Sequence, residues 1–201
     1  MNALILVDIQ NDFLPGGALA VPRGEEIIRM VNNLVTRFSL VVATQDWHPA
    51  NHGSFASAHP GKDVFELHQL GELDQVLWPD HCVQGTNGAE FASELNLNTV
   101  EAIFRKGTDV GIDSYSGFFD NGRKKATGMG DYLKGRGVKK VFVCGLAADF
   151  CVGFTALDAL SLGFETIVLE DATRAIDPAG WSQMKQNIQQ QSGRVITTAQ
   201  L

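Results

Sequence analysis

The stretch from Val141 to Gly153, VFVCGLAADFCVG, limits the fold more than any other part of the chain. Val141, Phe142 and Val143 form an apolar run without alternation, which suits a strand covered on both faces in a parallel sheet. Gly145, Ala147 and Ala148 then keep a turn slim. From Phe150 onward Val152, Ala156, Leu157, Ala159 and Leu160 recur at helical spacing, so a helix is expected to begin almost at Cys151 and to run to about Leu162.

The rest of the chain supplies the same alternation. Strands are expected over Ala3 to Ile9, Leu40 to Ala43, Thr99 to Phe104, Lys139 to Gly145, Thr166 to Glu170 and Arg194 to Thr198. Ile27, Val31, Leu34, Val35 and Phe38 share one helical face, and a short helix is expected around Asp131 to Arg136. Asp177 and Pro178 read as an N-cap and first-turn proline, followed by Trp181, Met184 and Ile188 on one face. Alternation at these lengths predicts an α/β fold: a doubly wound, mostly parallel six-stranded sheet with helices on both faces. Residues 1–201 are expected to form a single domain, with 53–98 as its least periodic part.

Charge and cysteine usage narrow the function. A formal net charge of -7, with no basic cluster beyond Arg123 to Lys125, argues against nucleic acid or an anionic membrane as the main partner. The opening MNALILVDIQ has no basic segment before its apolar run, and Asp8 interrupts that run, so no secretory leader is expected. Cys82, Cys144 and Cys151 form an odd set without paired metal spacing, which suits a reducing, cytoplasmic setting. The ligand is expected to be a small molecule or a protein. No motif encodes whether the chain acts as a monomer or a homo-oligomer.

Ligand crevices in such sheets lie beyond the carboxyl ends of the strands. One rim would collect Asp8 after the first strand, Asp46 and His48 after the second, Lys106 after the third and Cys151 after the fourth. A thiol that attacks a carbonyl needs a base for its proton and a cation beside the thiolate, and Asp8 with Lys106 supplies both. The competing account is a structural ion pair with Cys151 as a small buried hydrophobe. Asp46 and His48 are one residue apart, and His81 in WPDHC can reach from the irregular segment. Two imidazoles and a carboxylate suit Zn2+, Fe2+ or Mn2+, and solvated loop histidines are the alternative. His52 and Ser54 lie near enough in sequence to offer a further ligand. Phe13, Trp78, Tyr115 and Phe119 sit in loops, where aromatics either sandwich a flat ring or pack under the loops; for Tyr115 and Phe119 packing is the expectation.

Six ordered blocks carry a resemblance that spans nearly the whole chain. They are DIQNDF from Asp8, TQDWHPANH from Thr44, WPDHCV from Trp78, FRKG from Phe104, DSYSGFFDNG from Asp113 and GLAADFCV from Gly145. Together they resemble the bacterial nicotinamidases, in the superfamily of isochorismatase-like cysteine hydrolases. The resemblance implies that fold and the hydrolysis of nicotinamide to nicotinate and ammonia for NAD salvage, with pyrazinamide as a further substrate. It implies Cys151 as nucleophile, Asp8 as proton carrier and Lys106 as the group holding the thiolate. One divalent ion, Zn2+ foremost and Fe2+ or Mn2+ as alternatives, is implied at Asp46, His48 and His81, facing the ring nitrogen. Phe13, Trp78, Leu146 and Ala147 are implied to contact substrate, with the Ala147 and Cys151 backbone N–H groups as an oxyanion hole and a cis Leu146–Ala147 peptide. Ala148 departs from the pattern, standing where relatives commonly carry Thr.

Overall fold

The computed structural model describes the chain from Met1 to Leu201. In order it forms β1 (Asn2–Val7), α1 (Glu26–Leu34), β2 (Val41–Asp46), the hairpin β3 (Leu67–Leu70) and β4 (Leu73–Val76), and β5 (Val100–Lys106). Then come α2 (Met129–Gly135), β6 (Lys140–Leu146), α3 (Gly153–Ser161), β7 (Glu165–Arg174), α4 (Pro178–Gln190) and β8 (Arg194–Ile196).

Six strands make one sheet in the order β5-β2-β1-β6-β7-β8, and every neighbouring pair is parallel. The order runs outward from β1 in one direction and from β6 in the other. The crevice where a ligand is expected therefore opens between the ends of β1 and β6.

Both faces of the sheet are covered, which is why the central strands carry apolar residues without alternation. Leu4 and Leu6 of β1 pack with Ile27, Val31 and Leu34 of α1. Ala3, Ile5 and Val7 face the other way, toward Met129 and Leu133 of α2, Ala156 and Ala159 of α3, and Met184 and Ile188 of α4. Each fully buried Leu or Ile side chain contributes about 1.5–3 kcal/mol, so a sheet covered on both sides is a rigid platform for whatever its strand ends carry.

Two features differ from the expectation. Residues 53–98 are not wholly irregular, since they hold the β3–β4 hairpin, closed by Gly71 and Glu72. Its strands are four residues each and lack a clean period, but the Gly-X pair between leucines is a two-residue hairpin signal. Cys151 also does not lie in the first turn of α3. It sits in a single π-helical turn, Ala148–Val152, before α3 begins at Gly153. The Ala147 carbonyl accepts from both Phe150 N (3.2 Å) and Val152 N (3.0 Å). The Asp149 carboxylate accepts from Ile176 N and Asp177 N at 3.0 and 2.8 Å, which pins the wider turn to the start of α4. Single π turns of this kind recur at functional sites.

Candidate active site

Asp8 follows β1 directly, Lys106 is the last residue of β5, and Cys151 lies on the turn after β6. All three are buried, Lys106 with only 2% of its surface exposed. Lys106 Nζ stands 2.9 Å from Asp8 Oδ2 and 3.1 Å from Asp46 Oδ1. It also donates to the Ser114 carbonyl at 2.8 Å and reaches Cys151 Sγ at 3.5 Å. Thr44 Oγ1 donates to the other Asp8 oxygen at 2.6 Å. Cys151 thus touches the ion pair through Lys106 while it packs in the apolar cluster with Val152 and Ala156.

The electrostatics follow from burial. Desolvation alone would lower the Lys106 pKa, but Asp46 and Asp8 carry it well above the ordinary lysine value, so Lys106 stays a cation. Burial holds the Asp8 carboxyl above its usual range; the Lys106 charge opposes this, while the Asp46 charge adds to it. Burial likewise pushes the Cys151 thiol well up, with Lys106 pulling it down and Asp8 favouring the thiol through charge and a hydrogen bond. The resting arrangement is thus a thiol beside a carboxylate of raised basicity, with a fixed cation in reach of the sulfur.

Beside this trio, Asp46, His48 and His81 place one donor atom each within 4.8 Å of the others. The DIQNDF block builds the frame. Gln10 Nε2 donates to the Asp46 carbonyl at 2.8 Å and Gln10 Oε1 accepts from Asp46 N at 2.8 Å. Asp12 Oδ2 accepts from Cys82 N at 2.7 Å, next to His81. His48 N donates to the Cys82 carbonyl at 3.0 Å, so the two histidine loops are stitched together. Gly107, at φ 64°, packs so closely on the site that a Cβ there would stand 2.4 Å from His48 Cε1.

These residues fit a divalent ion. His48 Nδ1 lies 2.9 Å from the Gly107 carbonyl and His81 Nδ1 lies 2.8 Å from the Pro79 carbonyl. A carbonyl only accepts, so both Nδ1 atoms carry a proton and, in the neutral ring, both Nε2 atoms keep a lone pair. Those Nε2 atoms lie 3.1 and 3.5 Å from Asp46 Oδ2. Buried His48 Nε2 and Asp46 Oδ1 make no well-formed hydrogen bond. The Cys82 thiol is pushed well up by burial, as befits a packed structural cysteine rather than a thiolate ligand.

A narrow pocket, partly open to solvent, joins the two groups. Phe13, Trp78, Ala147 and Cys151 line it, together with Asp46 and His81. The Leu146–Ala147 peptide is cis. Leu146 itself is fully buried, and its side chain packs toward Gly24 rather than lining the cavity. Tyr115, expected to be packing, also lines the cavity and accepts from Trp78 Nε1 at 3.2 Å. Phe119 does not, and carries the Arg123 guanidinium 4.3 Å above its ring.

Sequence reasoning missed Leu19, Asp113, Phe150 and Ile176 as pocket walls. Phe150 meets Trp78 edge-on at 4.9 Å and Tyr115 at 5.4 Å. It read as an ordinary position at the head of a helix, and only the wider turn aims it at the site. The signal available was its place beside Cys151. His59 and His68, 4.3 Å apart, pair with each other outside the cavity.

Residues 2–200 match the family model described as the isochorismatase domain. The chain is 50% identical over 187 residues to a nicotinamidase of Acinetobacter baylyi, covering 90% of this chain and 87% of that one. Among solved structures it is similar to a nicotinamidase and pyrazinamidase of Acinetobacter baumanii, with a TM-score of 0.97 and 50% identity, over 99% of this chain and 97% of that one. It is also similar to the pyrazinamidase of Pyrococcus horikoshii solved with zinc, with a TM-score of 0.80 and 40% identity, over 98% of each chain.

Proposed function

The chain belongs to the isochorismatase family, in its nicotinamidase branch, and from that premise we propose that it hydrolyses nicotinamide to nicotinate and ammonia through a thioester on Cys151. The observation that carries this reading is the meeting of Asp8, Lys106 and Cys151 at the ends of three different strands, on the wall of an aromatic cavity. Pyrazinamide, of the same shape and carrying the same carboxamide, is a second substrate.

Asp8 takes the proton from Cys151 as the sulfur forms a bond to the amide carbon, and Lys106 balances the charge on the sulfur. The carbonyl oxygen becomes an oxyanion that the Ala147 and Cys151 N–H groups receive; Ala147 N makes no competing backbone hydrogen bond. Protonated Asp8 returns its proton to the nitrogen as the C–N bond breaks and ammonia leaves. Asp8 then takes a proton from water as the water oxygen attacks the thioester carbon. The C–S bond breaks, nicotinate leaves, and the thiol is restored. Phe13, Trp78, Tyr115 and Phe150 hold the ring and keep bulk water from it.

Asp46, His48 and His81 would hold a divalent ion, Zn2+ by analogy with the Pyrococcus structure, and such an ion supplies a Lewis-acid contact for the ring nitrogen.

Ammonia release from nicotinamide, pyrazinamide and benzamide, with and without a chelator, tests the reading. Nicotinamide and pyrazinamide should turn over, benzamide should lag because it lacks the ring nitrogen, and Cys151→Ala should release no ammonia while still binding nicotinamide. Ammonia release by the Cys151→Ala variant would refute the nucleophile, and equal rates on benzamide would refute the contact to the ring nitrogen.

A further inference from the structure

Three histidines crowd the end of β2. The His48 ring centroid lies 4.3 Å from that of His52 and 4.9 Å from that of His81. His48 belongs to two overlapping groups, one with Asp46 and His81 and one with His52 and Asp113, each with its donor atoms within 4.8 Å. Both groups need the Nε2 atom of His48, because its Nδ1 is bonded to the Gly107 carbonyl. The chain must therefore favour one of them.

The partner of each Nδ1 decides which. His48 and His81 donate from Nδ1 to carbonyls, which leaves the lone pair of the neutral ring on Nε2. His52 is wired the other way. Its Nδ1 receives the Ser54 backbone N–H at 3.1 Å and lies 2.8 Å from Ser54 Oγ. A backbone amide only donates, so Nδ1 of His52 holds the lone pair and the proton of the neutral ring sits on Nε2. An N–H cannot ligate a metal ion. That Nε2 is fully buried and finds no acceptor in the protein.

Asp113 completes the arrangement. It is 2% exposed and lies on the cavity wall. Its backbone N donates to Gln75 Oε1 at 3.1 Å and its Oδ1 accepts from Ser114 N at 2.7 Å, so the carboxylate is held in place with a second oxygen to offer.

We propose that His52 is a positioning residue and not a metal ligand: its Nε2–H and the Asp113 carboxylate together hold one water beside His48. The inference rests on reading Asp46, His48 and His81 as the metal ligands. A buried donor and acceptor too far apart to bond directly are commonly bridged in this way. Ser54 thereby acts on the metal site without touching it, by fixing the tautomer of His52.

Three measurements test this. Long-range 1H–15N spectra of the metal-free protein should show His52 protonated on Nε2, and His48 and His81 on Nδ1; a proton on His52 Nδ1 overturns the proposal. Pulsed EPR of the Cu2+-loaded protein should count two coordinated imidazoles in both the wild type and His52→Ala, whereas a fall from three to two identifies His52 as a ligand. Competition with a chromophoric chelator should show Zn2+ binding weakened about 10- to 100-fold in His52→Ala, the range for loss of an outer contact, and largely restored in His52→Gln, whose amide N–H replaces the donor. Equal losses in both variants count against the proposal. None of these readouts is ammonia release. A wild type inactive on nicotinamide with this histidine pattern refutes the hydrolase reading alone, and the opposite pattern in an active enzyme refutes this inference alone.

Discussion

Gln10 grips the peptide of Asp46 from both sides, accepting from its N–H and donating to its carbonyl, each at 2.8 Å. The same amide also donates to the Ala89 carbonyl at 2.8 Å. A residue two positions past Asp8 therefore sets the last residue of β2, and through it one oxygen of the metal site. Gln10→Leu should destabilise the fold by about 2–6 kcal/mol, since the two backbone groups of Asp46 lose partners at about 1–3 kcal/mol each, while the Ala89 carbonyl keeps the Gln45 amide at 2.9 Å. Denaturant titration with and without added Zn2+ measures this. The loss should be larger with metal present, because the ligand set is disturbed as well; an equal loss in both conditions would show that Gln10 serves the sheet alone.

Asp8 predicts the acid limb of the pH profile. Burial keeps its carboxyl above the ordinary aspartate value, and once protonated it can no longer take the Cys151 proton. The rate should therefore be full above that pKa and fall as pH drops through it. In kcat/KM, which reports the free enzyme, the limb should lie above the ordinary aspartate pKa of about 3.9. Asp8→Asn should remove turnover at every pH while leaving nicotinamide binding measurable by calorimetry.

Gly107→Ala should damage the metal site more than the fold. The backbone at φ 64° costs a non-glycine residue about 1–2 kcal/mol. The added Cβ would also stand 2.6 Å from His48 Nδ1, in the path of the hydrogen bond that orients the ring. Metal affinity should drop by about tenfold or more, the effect of losing a ligand's supporting bond. Chelator competition reads it directly, and unchanged affinity would mean that the loop yields without moving His48.

Phe150→Ala should separate binding from chemistry. Phe150 packs edge-on against Trp78 and Tyr115 but touches neither Asp8 nor Lys106 through any hydrogen bond. Loss of an aromatic pair worth about 0.5–1.5 kcal/mol should raise KM by about 2- to 12-fold. Steady-state kinetics should show kcat changed less than KM. The reverse split would place Phe150 in the support of the Cys151 turn instead.

Much of the site was legible in the sequence because strand ends are legible. Asp8 closes an apolar run and Asp46 and Lys106 follow within three residues of one, and in a parallel sheet such positions converge by topology alone. Tyr115 was undervalued because a loop aromatic has no period to show which way it faces. Phe150 was missed because helical spacing runs through it, while the local π turn that exposes it depends on Asp149 reaching Ile176 and Asp177, 27 and 28 positions away. The β3–β4 hairpin escaped for a related reason: its four-residue strands are too short for alternation to register against the surrounding loop.

By itself the chain of letters determined the layered sheet, the rim on which Asp8, Lys106 and Cys151 sit, and the identity of Asp46, His48 and His81 as possible ligands. Those follow from local hydrophobic period and from residue chemistry. Only the tertiary structure decided which oxygen faces Lys106, which nitrogen of each histidine is left with a lone pair, and which rings wall the cavity. These depend on contacts between positions far apart in sequence, such as His48 with Gly107 and Gln10 with Asp46, and no local pattern encodes a hydrogen bond that closes across a fold.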